Sequence, residues 1–136
     1  MTALTDVVAA VVLRFRTVLL AQRPPSKRYG GAWEFPGGKV RSGEDFTTAL
    51  TRELLEELGL RVTSVGQVIA SIADAGSDFV IHFIPAAVDG EANPTEHSAV
   101  RWVEFSDLTS YALAPSDKAF SEQLAGIDRS AWENPA

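Results

Sequence analysis

The chain has 136 residues, a hydrophobic content of 46%, a charged content of 22% and a formal net charge of −6. That length suits one domain with a real core, and with no linker on which to divide it, residues 1–136 read as a single unit. The acidic balance argues against long nucleic acid as a partner, which needs a basic surface, and the lack of cysteine excludes disulfides and thiolate metal sites.

Val7–Arg14 is rich in β-branched residues and predicts a buried strand. Its apolar run, Val7 to Leu13, is too short to span a bilayer, and no signal-peptide pattern precedes it, so a cytoplasmic protein with no membrane partner is the expectation. Val18–Gln22 predicts a second strand, joined to the first through Phe15-Arg16-Thr17 as a hairpin. Arg23 follows directly, at a strand end where functional groups often sit; a solvated surface arginine is the alternative. Pro24–Ala32, with two prolines, two glycines and Lys27-Arg28, reads as a loop: either a plain basic loop or a flap. Trp33–Phe35 predicts a short strand ending at Pro36. Gly37 and Gly38 allow the backbone to approach a ligand closely.

The most informative stretch is Gly38–Leu60. Leu50, Leu54 and Leu58 recur every fourth residue and predict a helix with an apolar stripe. Ser42 is the candidate N-cap, with Asp45 three residues on reaching back towards it. Glu44 and Asp45 complement the positive end of the helix dipole, and Gly59 suits the left-handed residue that ends the helix. Residues three and four apart are neighbours on a helix, so Glu53 meets both Glu56 and Glu57. Three carboxylates on one face repel unless a cation sits among them, and hard divalent ions prefer such oxygens. A solvated acidic face is the alternative. Arg52, four residues before Glu56, is placed to pair with it.

Arg61–Ile72 reads as one strand, Asp74–Asp78 as a turn and Phe79–Val88 as a central strand whose pairing is interrupted at Pro85. His82, inside that strand, reads as a core histidine rather than a catalyst. Asp89–Ser98 is a polar loop carrying Glu91, Glu96 and His97. Ala99–Glu104 predicts the last strand, Ser106–Thr109 a turn, and Pro115–Leu124 a helix with its proline in the first turn.

Gly38, Glu44, Arg52, Glu53, Leu54, Glu56, Glu57, Gly59 and Leu60 stand at every fixed position of the Nudix box, and so many constraints at fixed spacing make a specific signal. The preceding Trp33-Glu34-Phe35-Pro36-Gly37-Gly38-Lys39 resembles the MutT-like branch of that family, and the likeness runs from about Val7 to Phe120. The resemblance implies an α/β Nudix fold, an α/β/α sandwich with a mixed β-sheet between helices. It implies a Mg²⁺- or Mn²⁺-dependent pyrophosphohydrolase, with the metal on Glu53, Glu56, Glu57 and the carbonyl of Gly37. Arg52 would orient a metal-binding glutamate, and Glu53 or Glu96 would take the proton of the attacking water; Glu96 is preferred to Glu91 in its loop, with a plain loop carboxylate as the alternative. Arg23 would reach the substrate, a small nucleotide, together with Glu34, Gly37, Gly38 and Lys39, and the 24–32 loop would cover its phosphate chain. Phe35 would stack on the base, with core packing as its rival.

Leu113-Ala114-Pro115-Ser116-Asp117 resembles the CTP pyrophosphohydrolase branch, where the residue after the proline turn reads the base. An ionised Asp117 only accepts hydrogen bonds and so suits the amine of cytosine; a helix cap is the alternative. CTP, dCTP or 5-methyl-dCTP is thus the expected substrate and 8-oxo-dGTP the runner-up, with a non-catalytic nucleotide-binding module behind both. One departure is that relatives often carry a basic residue where this chain has Ile72-Ala73-Asp74. Whether the protein is a monomer or a homodimer is left open.

Overall fold

The computed structural model describes residues 3–95, 97 and 99–124. At its centre lie β1 (Thr5–Arg14) and β7 (Phe79–Asp89), paired in parallel from Thr5↔Phe79 to Val12↔Ala86. They sit innermost because β1 is apolar on both faces, as a strand covered on both sides must be. Val8, Ala10 and Val12 face one way, and pack with Leu50, Leu54 and Leu58 of α1 (Phe46–Leu58). Ala9 and Val11 face the other way, and join Phe83, Phe120 and Leu124, the last two from α2 (Pro115–Leu124). The strand's period of two therefore divides the core into two layers, one under each helix.

The sheet is mixed. β2 (Thr17–Gln22) is antiparallel to β1 only at the hairpin, through Leu13↔Val18 and Arg14↔Thr17. Farther on it pairs with β3 (Trp33–Glu34) and along its whole length with β8 (Ala99–Glu104). β4 (Gly37–Lys39) lies antiparallel to β1 from Val7↔Lys39 to Ala9↔Gly37. Mixed sheet and flanking helices together form the α/β/α arrangement read from the sequence. Among the described residues no helix is long and apolar enough to cross a membrane.

Three local readings change. Asp45, not Ser42, caps α1: its Oδ1 accepts the N–H of Thr48 at 2.7 Å. The chain is still turning at Ser42, since Gly43 is left-handed at φ 84° and the N–H of Glu44 closes back on the Arg41 carbonyl. A side chain caps a helix only from the residue just before its first turn. The single strand expected over Arg61–Ile72 is two, β5 (Arg61–Val65) and β6 (Ala70–Ala73). Both pair with β7, on either side of Pro85. Proline has no N–H to give the ladder, and the ring stands where a Cβ on Gly66 would come within 2.9 Å of its Cγ, so the chain is carried past it. The glycines of β4 gave no strand signal. They pair there because a Cβ on Gly37 would fall 1.8 Å from the Val8 carbonyl oxygen, an approach only glycine permits.

The C-terminal end of α1 closes as expected on Gly59, at φ 66°. His82 is satisfied where it stands, against Ser71 Oγ at 2.7 Å and Asp6 Oδ1 at 2.9 Å, and it stacks on Phe46.

Candidate active site

The helix α1 and the strand β4 meet at Glu53. Its carboxyl lies directly against Gly38, where a Cβ would come within 2.4 Å of it. This is the local reason for glycine at the head of the box: any side chain would fill the seat of the glutamate.

Arg52 organises the neighbouring carboxylates. Its Nε and Nη2 donate to the two oxygens of Glu44 at 2.6 and 2.8 Å, Nη1 to Glu53 at 2.7 Å, and Nη2 to the Lys39 carbonyl at 3.1 Å. The fork on Glu44 is the planar, bidentate geometry that arginine supplies and lysine cannot. The expected Arg52–Glu56 pair exists, but at 3.4 Å it is the longest of these contacts. Glu44, read from sequence as a helix-dipole residue, is the principal partner. Its carboxyl is held down to about 2, first by the hydrogen bonds from Arg52 and then by the Arg41 N–H, and the same contact raises Arg52 in turn.

Glu53 is nearly covered, with 13% of its side chain exposed, whereas Glu56 is 49% exposed and also within 3.8 Å of Arg41. Glu57 lines the adjacent cleft. Among the described residues no three acidic or imidazole groups converge on one point: Glu53 is turned to Arg52, and Glu56 to Arg52 and Arg41. The donor set still suits a hard divalent cation, because it is all oxygen and carries more negative charge than Arg52 alone can balance.

The cleft itself has a volume of about 330 Å³. Gly37, Gly38 and Lys39 line it on the side of the box, with the Lys39 ammonium 5.1 Å above the Phe79 ring. Arg23 lines it from the end of β2, and its guanidinium is engaged by Glu34 Oε1 at 2.8 Å and the Arg28 carbonyl at 2.6 Å. It is therefore not a freely solvated arginine. Glu34 has both oxygens occupied, the second by His97 Nε2 at 2.9 Å. Sequence reasoning passed over His97, and only the pairing of distant strands could have found it. Of the two loop glutamates, Glu91 is exposed and Glu96 lies outside the described residues.

Phe35 lines the cleft, but its ring is set in the core, as the rival reading had it. It is 3% exposed, and its ring packs edge-on against Phe83 and Phe120. A large aromatic beside two others gains more from the core than from a solvent-facing position. Its backbone N–H instead donates to Asp117 Oδ1 at 2.8 Å, tying α2 to β3. Beside it Ser116 donates to Asp74 Oδ1 at 2.9 Å, and Asp74, Ser116 and Asp117 all line the cleft.

Asp117 is 5% exposed. Burial, opposed by the Phe35 N–H and reinforced by Glu34, pushes its carboxyl from 3.8 up to about 8. Below that pH the group keeps its proton, so it both donates and accepts, as an asparagine amide does. The accept-only argument made from the sequence therefore fails near neutrality, and the cause is desolvation. The same shift has a stability consequence. Between about 3.8 and 8 the unfolded chain has lost this proton and the folded chain has not, so stability falls as pH rises through that window. Asp117→Asn keeps the acceptor for Phe35 and removes the penalty. It should raise Tm by about 5 °C or more near pH 8 and leave it nearly unchanged near pH 4. Thermal melts of both proteins across that range check the difference.

A NUDIX domain family model matches residues 3–124. The chain is 41% identical over 125 residues to the CTP pyrophosphohydrolase of Escherichia coli (strain K12), covering 90% of this chain and 92% of that one. It is 38% identical over 122 residues to the "Putative 8-oxo-dGTP diphosphatase 2" of Mycobacterium tuberculosis (strain CDC 1551 / Oshkosh), covering 88% of this chain and 86% of that protein. Among solved structures, that of the E. coli ORF135 protein superposes with a TM-score of 0.79 at 38% identity, covering 96% of this chain and 94% of that one. A box closed around Arg52 and a family match over nearly the whole length lead to one conclusion: the chain belongs to the Nudix hydrolase family.

Proposed function

We propose that this Nudix enzyme cleaves a nucleoside triphosphate to the monophosphate and pyrophosphate, using Mg²⁺ or Mn²⁺, with a cytosine nucleotide (CTP, dCTP or 5-methyl-dCTP) as the preferred substrate. One observation carries the reading: a single cleft is lined both by Gly37, Gly38 and Glu57 of the box region and by Arg23, Asp74 and Asp117. Phosphates and base can thus be addressed together.

Glu53, Glu56, Glu57 and the Gly37 carbonyl would hold the divalent ion. When bound, the ion offsets phosphate charge and makes the attacking water more acidic. Phosphoryl transfer asks mainly for positioning and charge stabilisation, which is what the chain's own groups supply. Glu53, seated against Gly38, takes the proton of the water; Glu96 is the second candidate for that step. Arg52 fixes the carboxylate of Glu53 through its 2.7 Å bond. Arg23 addresses the anionic substrate, with Lys39 adding positive charge to the same cleft. At the base, the neutral Asp117 carboxyl donates to N3 of cytosine and accepts from its amine, a pairing of the kind by which side chains read base edges.

The cytosine preference is supported by the similarity to the E. coli CTP pyrophosphohydrolase across most of both chains. The second reading, an 8-oxo-dGTP diphosphatase, is favoured by the likeness to the Mycobacterium tuberculosis protein of that name, which also extends over 88% of this chain. Pyrophosphate release from CTP, 5-methyl-dCTP, UTP and 8-oxo-dGTP separates them. The cytosine nucleotides should show the highest kcat/KM; a higher value for 8-oxo-dGTP would establish the second reading instead.

A further inference from the structure

The loop between β7 and β8 is tied down at two places. The N–H groups of Asn93 and Thr95 donate to the carbonyls of Leu58 and Glu57 at 2.8 and 3.0 Å, which satisfies the last turn of α1. At the far end of the loop, His97 reaches Glu34. The sheet brings them together: Ala99 opposes Gln22 across β8 and β2, and Gln22 opposes Trp33 across β2 and β3.

An ionised carboxylate only accepts, so the bond to Glu34 assigns the proton to Nε2 of His97. The His97 side chain is 7% exposed, and among the described residues its Nδ1 has no hydrogen-bond partner. Packing alone would favour an apolar residue there, because a buried polar atom without a partner is unfavourable. What the imidazole adds is the 2.9 Å bond to Glu34 Oε2, while Glu34 Oε1 holds Arg23 Nη1 at 2.8 Å. The Arg23 Nε is fixed by the Arg28 carbonyl at 2.6 Å. Neither bond uses Nη2 of Arg23.

We propose that His97 is a positioning residue for substrate binding: it holds Glu34 from one side, so that Glu34 aims the guanidinium of Arg23 into the cleft and leaves Nη2 to the anionic part of the nucleotide. This rests on the reading of Arg23 as the substrate's cation. His97 itself touches no reacting atom in this scheme; it acts through Glu34.

Steady-state kinetics with CTP test it on His97→Leu, which cannot donate, and His97→Gln, whose amide can. Loss of aim should raise KM roughly tenfold in His97→Leu while kcat stays within about threefold, the pattern of lost uniform binding. His97→Gln should recover most of the loss. In an Arg23→Gln background, His97→Leu should add little, since the residue it positions is gone. An unchanged KM, a fall in kcat alone, or a full penalty persisting in the Arg23→Gln background would overturn the proposal. If His97→Leu does not fold, Glu34→Gln and its combination with Arg23→Gln decide by the same split. If the wild-type protein turns over no triphosphate, the functional reading fails separately. The placement of Arg23 is then read from solvent exchange of its Nε–H by NMR: faster exchange in His97→Leu, with His97→Gln close to wild type, supports the coupling, and unchanged exchange in His97→Leu refutes it.

Discussion

Glu53→Gln should lower kcat for pyrophosphate release by roughly a thousandfold, with Tm changed by only a few degrees. The substitution keeps the shape of the side chain, so the seat against Gly38 is still filled and an oxygen still accepts from Arg52. Arg52 also retains its two bonds to Glu44 and the one to the Lys39 carbonyl. What disappears is the negative charge, and with it both the affinity for a divalent cation and the basicity needed to take a proton. Nearly complete loss of rate with an intact melting transition identifies a chemical role. A variant with wild-type kcat would remove Glu53 from the mechanism and leave it as one more partner of Arg52.

The adjacent glycines should fail in different ways. In Gly37→Ala the new Cβ meets the Val8 carbonyl oxygen, a backbone atom in the central strand that cannot turn aside. The pairing of β4 with β1 must break or shift, costing about 3 kcal/mol or more and lowering Tm by about 10 °C. In Gly38→Ala the new Cβ meets the end of the Glu53 side chain, which can swing away at small cost to the fold. Stability should then stay within about 1 kcal/mol of wild type, while kcat falls by about a hundredfold because the carboxylate has left its place. Thermal melts and kinetics on the two variants give a paired comparison. Equal damage to stability and activity in both would mean that Gly38 serves the fold alone.

The chain's layers were legible because their signals are local. Leu50, Leu54 and Leu58 mark the buried face of α1, and the β-branched run of β1 marks a strand covered on both sides. The box was legible because its spacing is fixed. What the sequence hid depends on distant pairing. Glu44 and Arg52 are eight residues apart, on opposite sides of a cap that was itself misplaced, so Arg52 was assigned to the nearer Glu56. His97 and Glu34 are 63 residues apart and meet only because β2 stands between β3 and β8. The state of Asp117 was misread for a related reason. Its residue type gives an ionised acceptor, but its burial in the first turn of α2, unknowable from five residues of motif, favours the protonated form.

The account rests on carboxylates that Arg52 cannot balance alone and that a divalent ion completes beside a triphosphate. Its most direct test follows pyrophosphate release from CTP in one cuvette while Mg²⁺ is supplied, chelated in excess and then restored. Release should start, stop and resume, and Glu56→Gln should remain silent throughout; steady release through the chelated phase would contradict it.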